Sequence, residues 1–298
     1  MGTRRTPATV CVLGAVAPAV TLGVGLMWAD CSSRRAPLLN VVAATSALAI
    51  SRFAGPHLAR LVRERPTGTT ASLLALVALS LASPGIQGVH RWLGGGLVRL
   101  QPSAILLPLV LLGLAALVRS GRLRTAGIAT AAAFALLAGQ PDAGQATALA
   151  AGLVTSALAA RIDGTSRVAL TATALVGASV AWQRPDPLAP VHLVEDIVPM
   201  AFAQHWALGV AATFALALPA LCALAYATRS AQAGRSVGDD DRSLGLALAA
   251  YLATSGAAPA FGAFPTPLLG FGASPILGTV VGLGALLSVG KSSEPTPS

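Results

Sequence analysis

The run Gln101-Pro102-Ser103-Ala104-Ile105-Leu106-Leu107-Pro108-Leu109-Val110-Leu111-Leu112-Gly113-Leu114-Ala115-Ala116-Leu117-Val118-Arg119 holds no charged residue between its Gln-Pro-Ser opening and its closing arginine. Apolar text bounded by Pro on one side and a cation on the other predicts a spanning helix over 103–118. Similar runs are expected as spans at 8–28, 36–54, 70–87, 124–139, 143–160, 167–182, 197–227, 244–260 and 274–290. Of the 298 residues 54% are hydrophobic and only 10% charged, and the mean hydropathy is +0.72. A soluble domain carries about 25% charged residues. The expectation is an all-α polytopic membrane protein of about ten transmembrane helices, one bundle over 1–298 with no sizeable soluble domain.

Charge sets the orientation. The net charge of +9 would suggest nucleic acid in a soluble chain, but here the cations stand singly or in small groups between apolar runs. Fifteen of the 20 Lys and Arg fall on the side of both termini and five on the other: Arg34, Arg35, Arg91, Arg99 and Arg184. That bias predicts cytoplasmic N and C termini for a multi-pass protein of the cell membrane. Trp28, Trp92, Trp182 and Trp206 fall at the outer side, where an interfacial aromatic belt belongs. Inside loops are expected at 55–69, 119–123, 161–166 and 228–243, with Gly238-Asp239-Asp240-Asp241-Arg242 solvated and 291–298 a flexible cytoplasmic tail. Outside loops are expected at 84–102, 139–142, 183–196 and 261–273.

Three inward-running helices open with a polar residue beside Pro: Gln101-Pro102-Ser103, Gln140-Pro141-Asp142 and Ser274-Pro275. Each can be an ordinary helix start, since Pro suits the first turn and Ser or Asp can cap it. All three nevertheless fall on one face.

The segments containing these starts resemble the SEDS family, the FtsW/RodA/SpoVE proteins. Gly85-Ile86-Gln87-Gly88-Val89-His90-Arg91-Trp92-Leu93 followed by Leu100-Gln101-Pro102-Ser103 is similar to the family's Gly, Arg-Arg-Trp-Ile and Gln-Pro-Ser-Glu-x-x-Lys. Gln140-Pro141-Asp142-Ala143-Gly144-Gln145-Ala146 is similar to Gln-Pro-Asp-x-Gly-Thr-Ala before the sixth helix. Pro267-Leu268-Leu269-Gly270-Phe271-Gly272-Ala273-Ser274 is similar to Pro-Phe-x-Ser-Tyr-Gly-Gly-Ser before the tenth. The resemblance implies a ten-span topology and polymerisation of lipid II, an undecaprenyl diphosphate-linked disaccharide, into glycan strands of peptidoglycan on the outer face. It also implies a class B transpeptidase-type membrane partner, with a role in division, elongation or sporulation.

The chain departs from the pattern where Ala104 and Leu107 replace the family's Glu and Lys, and where the large outer loop between the seventh and eighth helices shortens to 183–196. Losing that cation takes away a partner expected for Asp142, because intramembrane carboxylates are expensive to leave unpaired.

The family's loop-end aspartate corresponds to Glu195 when counted back from Gly209 without gaps, and to Asp196 with one deletion. By that resemblance Glu195 or Asp196 is the catalytic base for a sugar hydroxyl. Both also precede an apolar run and can cap a helix instead. Arg91, with Arg99 or Arg184, is expected to hold the departing diphosphate, because guanidinium grips phosphate oxygens in a fork. Trp92, Gln101, Ser103, Asp142 and Ser274 complete the expected substrate-binding set. No protein-held metal or cofactor is expected: His57, His90, His192 and His205 form no ligand set. Gly94-Gly95-Gly96 lacks the Lys-Ser/Thr of a phosphate loop. A divalent cation bridging diphosphate and carboxylate is compatible with the resemblance. The alternatives are a catalytically inactive scaffold for a transpeptidase and a small transporter of lipid-linked precursors.

Overall fold

The computed structural model describes residues 8–30, 34–95, 98–232 and 236–289. Its helices are α1 (Ala8–Asp30), α2 (Arg35–Glu64), α3 (Pro66–Ala78), α4 (Pro102–Arg119), α5 (Leu123–Gly139), α6 (Ala143–Ala159), α7 (Gly164–Trp182), α8 (Ile197–Gln204), α9 (Trp206–Gln232), α10 (Ser236–Ala257) and α11 (Ala273–Val289). A two-stranded antiparallel ribbon, β1 (Leu93–Gly95) with β2 (Val98–Leu100), precedes α4, in the register Leu93 to Leu100.

The apolar run at 103–118 becomes the axis of the molecule. Every residue from Leu107 to Val118 is buried, as a helix apolar on all sides requires. α2, α3, α5, α6, α10 and α11 all pack on α4. Outside this axis α2 pairs with α11, α9 with α10, and α6 with α7 and α10. The outward surfaces carry large apolar side chains, Phe53 80%, Val168 69%, Ile128 63% and Phe214 62% exposed. Apolar exposure on this scale would be an aggregation liability in water; hydrocarbon is the solvent that matches it. α1, α2, α4, α9 and α10 are long and apolar enough to cross a membrane, and α3 with its following 3₁₀ turn, α5, α6 and α11 are shorter apolar helices.

Four boundaries differ from the sequence expectation. The expected inside loop 55–69 is mostly helix: α2 runs on to Glu64, past Pro56, because Ala59 and Val62 continue the buried face at helical spacing. The single expected span 197–227 is two helices. At about 1.5 Å per residue, one straight helix of that length would exceed the roughly 30 Å hydrocarbon core. His205 adopts an extended backbone, φ −164°, closing α8, and its Nδ1 accepts from the Ala207 N–H at 3.2 Å, opening α9. The expected solvated loop 228–243 is largely taken up by α9 and α10, and Asp241 is buried. Finally, the Gly94-Gly95 stretch expected as loose loop belongs to β1. The tail 291–298 and Cys31 lie outside the described residues.

Close helix approach rests on small residues. A Cβ on Gly278 of α11 would collide with the Ala104 carbonyl oxygen of α4, and one on Gly284 with the Ser51 hydroxyl of α2. At Gly14 nothing lies within 4 Å. Gly278→Ala is therefore expected to destabilise the bundle by about 1–3 kcal/mol through overpacking, while Gly14→Ala costs nothing. Thermal unfolding of the two variants in detergent checks this; equal melting temperatures would contradict the packing.

Candidate active site

α4, α6 and α11 all begin at one end of the bundle, and their polar starts meet there. The Gln101 N–H donates to Ser274 Oγ at 2.8 Å. Its side-chain amide donates to Asp142 Oδ2 at 2.6 Å, and Ser103 Oγ donates to the same oxygen at 3.2 Å. The Gln145 N–H donates to Asp142 Oδ1 at 3.3 Å, so Asp142 also caps α6. The cap of α6 and the contacts to Gln101 and Ser103 thus share one carboxyl group. Gln101, Ser103, Asp142 and Ser274 are all buried.

A buried carboxylate must be compensated. Ala104 and Leu107 are 3% and 1% exposed, so the positions where the family has charges are here plain core. Asp142 is held by neutral donors instead. A further link runs from Gln145, whose Oε1 accepts from the Tyr251 hydroxyl at 2.5 Å.

Over this floor opens a cleft lined by Arg91, Trp92, Gln101, Asp142, Asp186 and Glu195, among others. Arg91 is 6% exposed. Its Nε donates to the Gln140 carbonyl at 2.8 Å and its Nη2 to Asp186 Oδ2 at 2.7 Å. Gln140 is in turn fixed to Ser80 Oγ at 2.7 Å. Trp182 stands near the rim, its indole N–H on Thr147 at 2.8 Å and its ring edge-on to Phe264.

Glu195 and Asp196 part company. Glu195 lines the cleft; its Oε2 accepts from the Val191 N–H at 2.5 Å. Half-burial pushes its carboxyl above the usual range, the Val191 N–H opposes that rise, and the charges of Asp196 and Asp186 add to it. Asp196 stands at the N-terminal boundary of α8 but gives no side-chain cap. Its Oδ1 accepts from the Leu193 N–H at 2.7 Å and its Oδ2 bonds His192 Nδ1 at 2.6 Å, while His192 Nε2 reaches Asp30 Oδ1 at 3.1 Å.

The backbone beneath Glu195 is fixed from two sides. Leu193 sits in the left-handed region, φ 65°, a conformation that costs about 1–3 kcal/mol and persists where surroundings enforce it. The Phe271 N–H donates to Leu193 O at 2.7 Å, Thr266 N–H to Val194 O at 2.9 Å, and Thr266 Oγ1 to Glu195 O at 3.3 Å. Asn40 in α2 clamps the far side of the same loop, donating to Gly270 O at 2.9 Å and accepting from Gly272 N–H at 3.2 Å. Gly270 is required there, since a Cβ would strike the Val194 and Thr266 carbonyl oxygens.

Of the expected set, Arg91, Trp92, Gln101, Asp142 and Glu195 line one cleft. Ser103 and Ser274 are buried beneath it as supports. Arg184 is exposed and is not part of the lining, and Arg99 faces a separate pocket with Trp92 and Ser83. Asp186, Asn40 and Tyr251 were not singled out by sequence, and Gln140 and Gln145 stood only as part of a motif, with no role at the site. Asn40 had a signal, the only amide in the run 36–54; Asp186, between two prolines in the 183–196 loop, had none. Among the described residues no three His, Cys, Asp or Glu side chains come together to hold a metal ion.

The family model for the FtsW/RodA/SpoVE proteins, described as cell cycle protein, matches residues 38–193. The chain belongs to this family. Among solved structures, it is similar to the rod shape determining protein RodA of Thermus thermophilus. An aspartate-to-alanine mutant of RodA matches with TM-score 0.67 and 21% identity, over 96% of this chain and 98% of that one. The unmutated RodA matches with TM-score 0.64 and 21% identity, over 96% and 97%. A structure described as the structural coordination of polymerization and crosslinking by a peptidoglycan synthase complex matches with TM-score 0.57 and 22% identity, over 94% and 97%. No curated protein matches the sequence. As an FtsW/RodA/SpoVE protein the chain is an all-helical, multi-pass protein of the cell membrane.

The two carboxylates on His192 favour its protonated form and raise its pKa above the ordinary histidine value. Because the folded pKa is the higher one, this contribution to stability is fully present below the ordinary value. It is lost as pH rises through the raised value. Titration of labelled histidine by NMR is expected to give a His192 midpoint above the ordinary value that falls back in Asp196→Asn. An unshifted midpoint in the wild type would contradict the contact.

Proposed function

We propose that this FtsW/RodA/SpoVE protein acts in peptidoglycan synthesis, polymerising lipid II at the cleft. The observation that carries the reading is the pairing, in one cleft, of a half-buried glutamate with a buried arginine. Glycan extension needs a base for the attacking sugar hydroxyl and positive charge for the diphosphate that leaves the anomeric carbon. Glu195 has the position and the raised pKa of such a base, and Arg91 offers the fork for phosphate oxygens. Gln101 and Asp142 form the floor against which the substrate head group rests.

In this reading the cleft faces outward and both termini are cytoplasmic, as the arginine distribution supports. A class B transpeptidase-type membrane partner receives the strands, a proposal supported by the likeness to the peptidoglycan synthase complex. A divalent cation arriving with the diphosphate would neutralise phosphate charge; the roles of Glu195 and Arg91 stand on their own contacts.

The shortened 183–196 segment and the core residues Ala104 and Leu107 favour a second reading, a scaffold that keeps the bundle and the partner without turnover. Lipid II polymerisation by the purified full chain, with transpeptidase partners added, separates the two. Glu195→Gln is expected to lower the rate roughly 10²–10⁴-fold, the usual worth of a general base, whereas Asp196→Asn keeps most of it. A Glu195→Gln variant as fast as wild type would overturn the assignment of the base. Absence of strands from folded wild type that still captures a transpeptidase would leave the scaffold.

A further inference from the structure

Arg91 lines the cleft as one half of an ion pair. Among the described lining residues it is the one Lys or Arg, and its Nη2 is already occupied by Asp186 Oδ2 at 2.7 Å. The two side chains are 7% and 28% exposed, so the pair is partly screened from water and stronger than a surface ion pair. Asp186 belongs to the short segment that also supplies Leu188 and Val191 to the cleft wall. Its second oxygen, Oδ1, accepts from the Leu188 N–H at 3.2 Å. The carboxylate therefore ties the segment to the guanidinium.

Two further facts bear on what happens when an anion arrives. The Nε of Arg91 is held by the Gln140 carbonyl, and Gln140 is anchored on Ser80 and on the Val77 carbonyl. The guanidinium thus keeps its place whether or not Asp186 is present. Among the described residues Asp186 has no such second anchor from another element: its remaining bond is within its own loop. A phosphate approaching Nη2 meets the like charge of Asp186 there, and a two-pronged grip on the guanidinium edge that carries Nη2 needs that carboxylate out of the way.

We propose that Asp186 is a displaceable counter-ion on Arg91, an autoinhibitory contact of the 183–196 segment that an isoprenyl diphosphate must break to reach the guanidinium. This rests on the reading of the cleft as a diphosphate site. The consequence is a coupling: anion binding frees Asp186 and loosens the wall formed by Leu188 and Val191. The apparent affinity is lowered by the fraction of molecules in which the pair is closed.

The test uses the purified full chain in detergent and farnesyl diphosphate as the probe, titrated by calorimetry. Asp186→Asn keeps the shape and the acceptor for the Leu188 N–H but removes the competing charge. It is expected to tighten binding by about tenfold or more, on the scale of a charge-assisted hydrogen bond, and Asp186→Glu to restore wild-type affinity. Arg91→Gln should weaken binding and cancel the gain from Asp186→Asn.

A strut that only holds the loop predicts the opposite sign, since losing it would loosen the site. Folded Asp186→Asn with equal or weaker binding therefore overturns the proposal. If Arg91→Gln weakens binding while Asp186→Asn does not tighten it, the diphosphate reading survives and the counter-ion does not. If neither substitution changes binding, both fall. A second readout needs no variant: saturating farnesyl diphosphate should raise protease cleavage within 183–196 of the wild type, and unchanged or reduced cleavage would contradict the coupling.

Discussion

A buried carboxylate without a cation organises this molecule. Asp142 sits 4% exposed at one end of an apolar bundle, and removing such a group from water is tolerable only with several donors in place. Those donors come from different parts of the chain: Gln101 and Ser103 from the start of α4, and the Gln145 backbone from α6. Ser274 from α11 then fixes Gln101. The requirement to satisfy one aspartate thereby brings three helix starts into register. The cleft above them, with Arg91 and Glu195, inherits its geometry from that floor.

The same bundle shows how charge can be replaced without loss of architecture. Ala104 and Leu107 occupy core positions where the family pattern has a Glu and a Lys, and the space is filled by close packing against α11 at Gly278. What is lost is cationic character deep in the site. Positive charge in the cleft is left to Arg91, which the structure holds by a backbone carbonyl on one side and by Asp186 on the other. The short 183–196 segment matters for that reason. It forms a wall of the cleft and carries both the counter-ion of Arg91 and, next to its end, Glu195.

Much of this was legible in sequence. Apolar runs between charges placed nearly every helix, and the Pro-started polar triplets placed the floor of the site, because polar residues beside Pro at the head of an apolar run have few structural roles. The boundaries that were missed share a cause. α2 continues beyond Pro56 on buried Ala59 and Val62, where amphipathic periodicity replaces uniform hydropathy, and the break at His205 lies inside an apolar run that no charge or proline interrupts at that point. The alternative between Glu195 and Asp196 could not be read from spacing. It turns on which way two adjacent carboxylates face, and the backbone that carries them is fixed by long-range bonds from the Phe271 N–H to Leu193 O, from the Thr266 N–H to Val194 O and from the Thr266 hydroxyl to Glu195 O. Asp186 has no motif around it in the 183–196 loop, and only its distance to Arg91 marks it.

The proposed function requires an outward cleft that takes a lipid-linked diphosphate beside Glu195. The most direct test is a single cysteine at Leu188, on the cleft wall, in a chain whose three native cysteines are replaced, probed on spheroplasts with a membrane-impermeant maleimide. Labelling is expected from outside without permeabilisation, and slower labelling when undecaprenyl diphosphate fills the cleft. Labelling only after permeabilisation, or at a rate indifferent to the diphosphate, would contradict it.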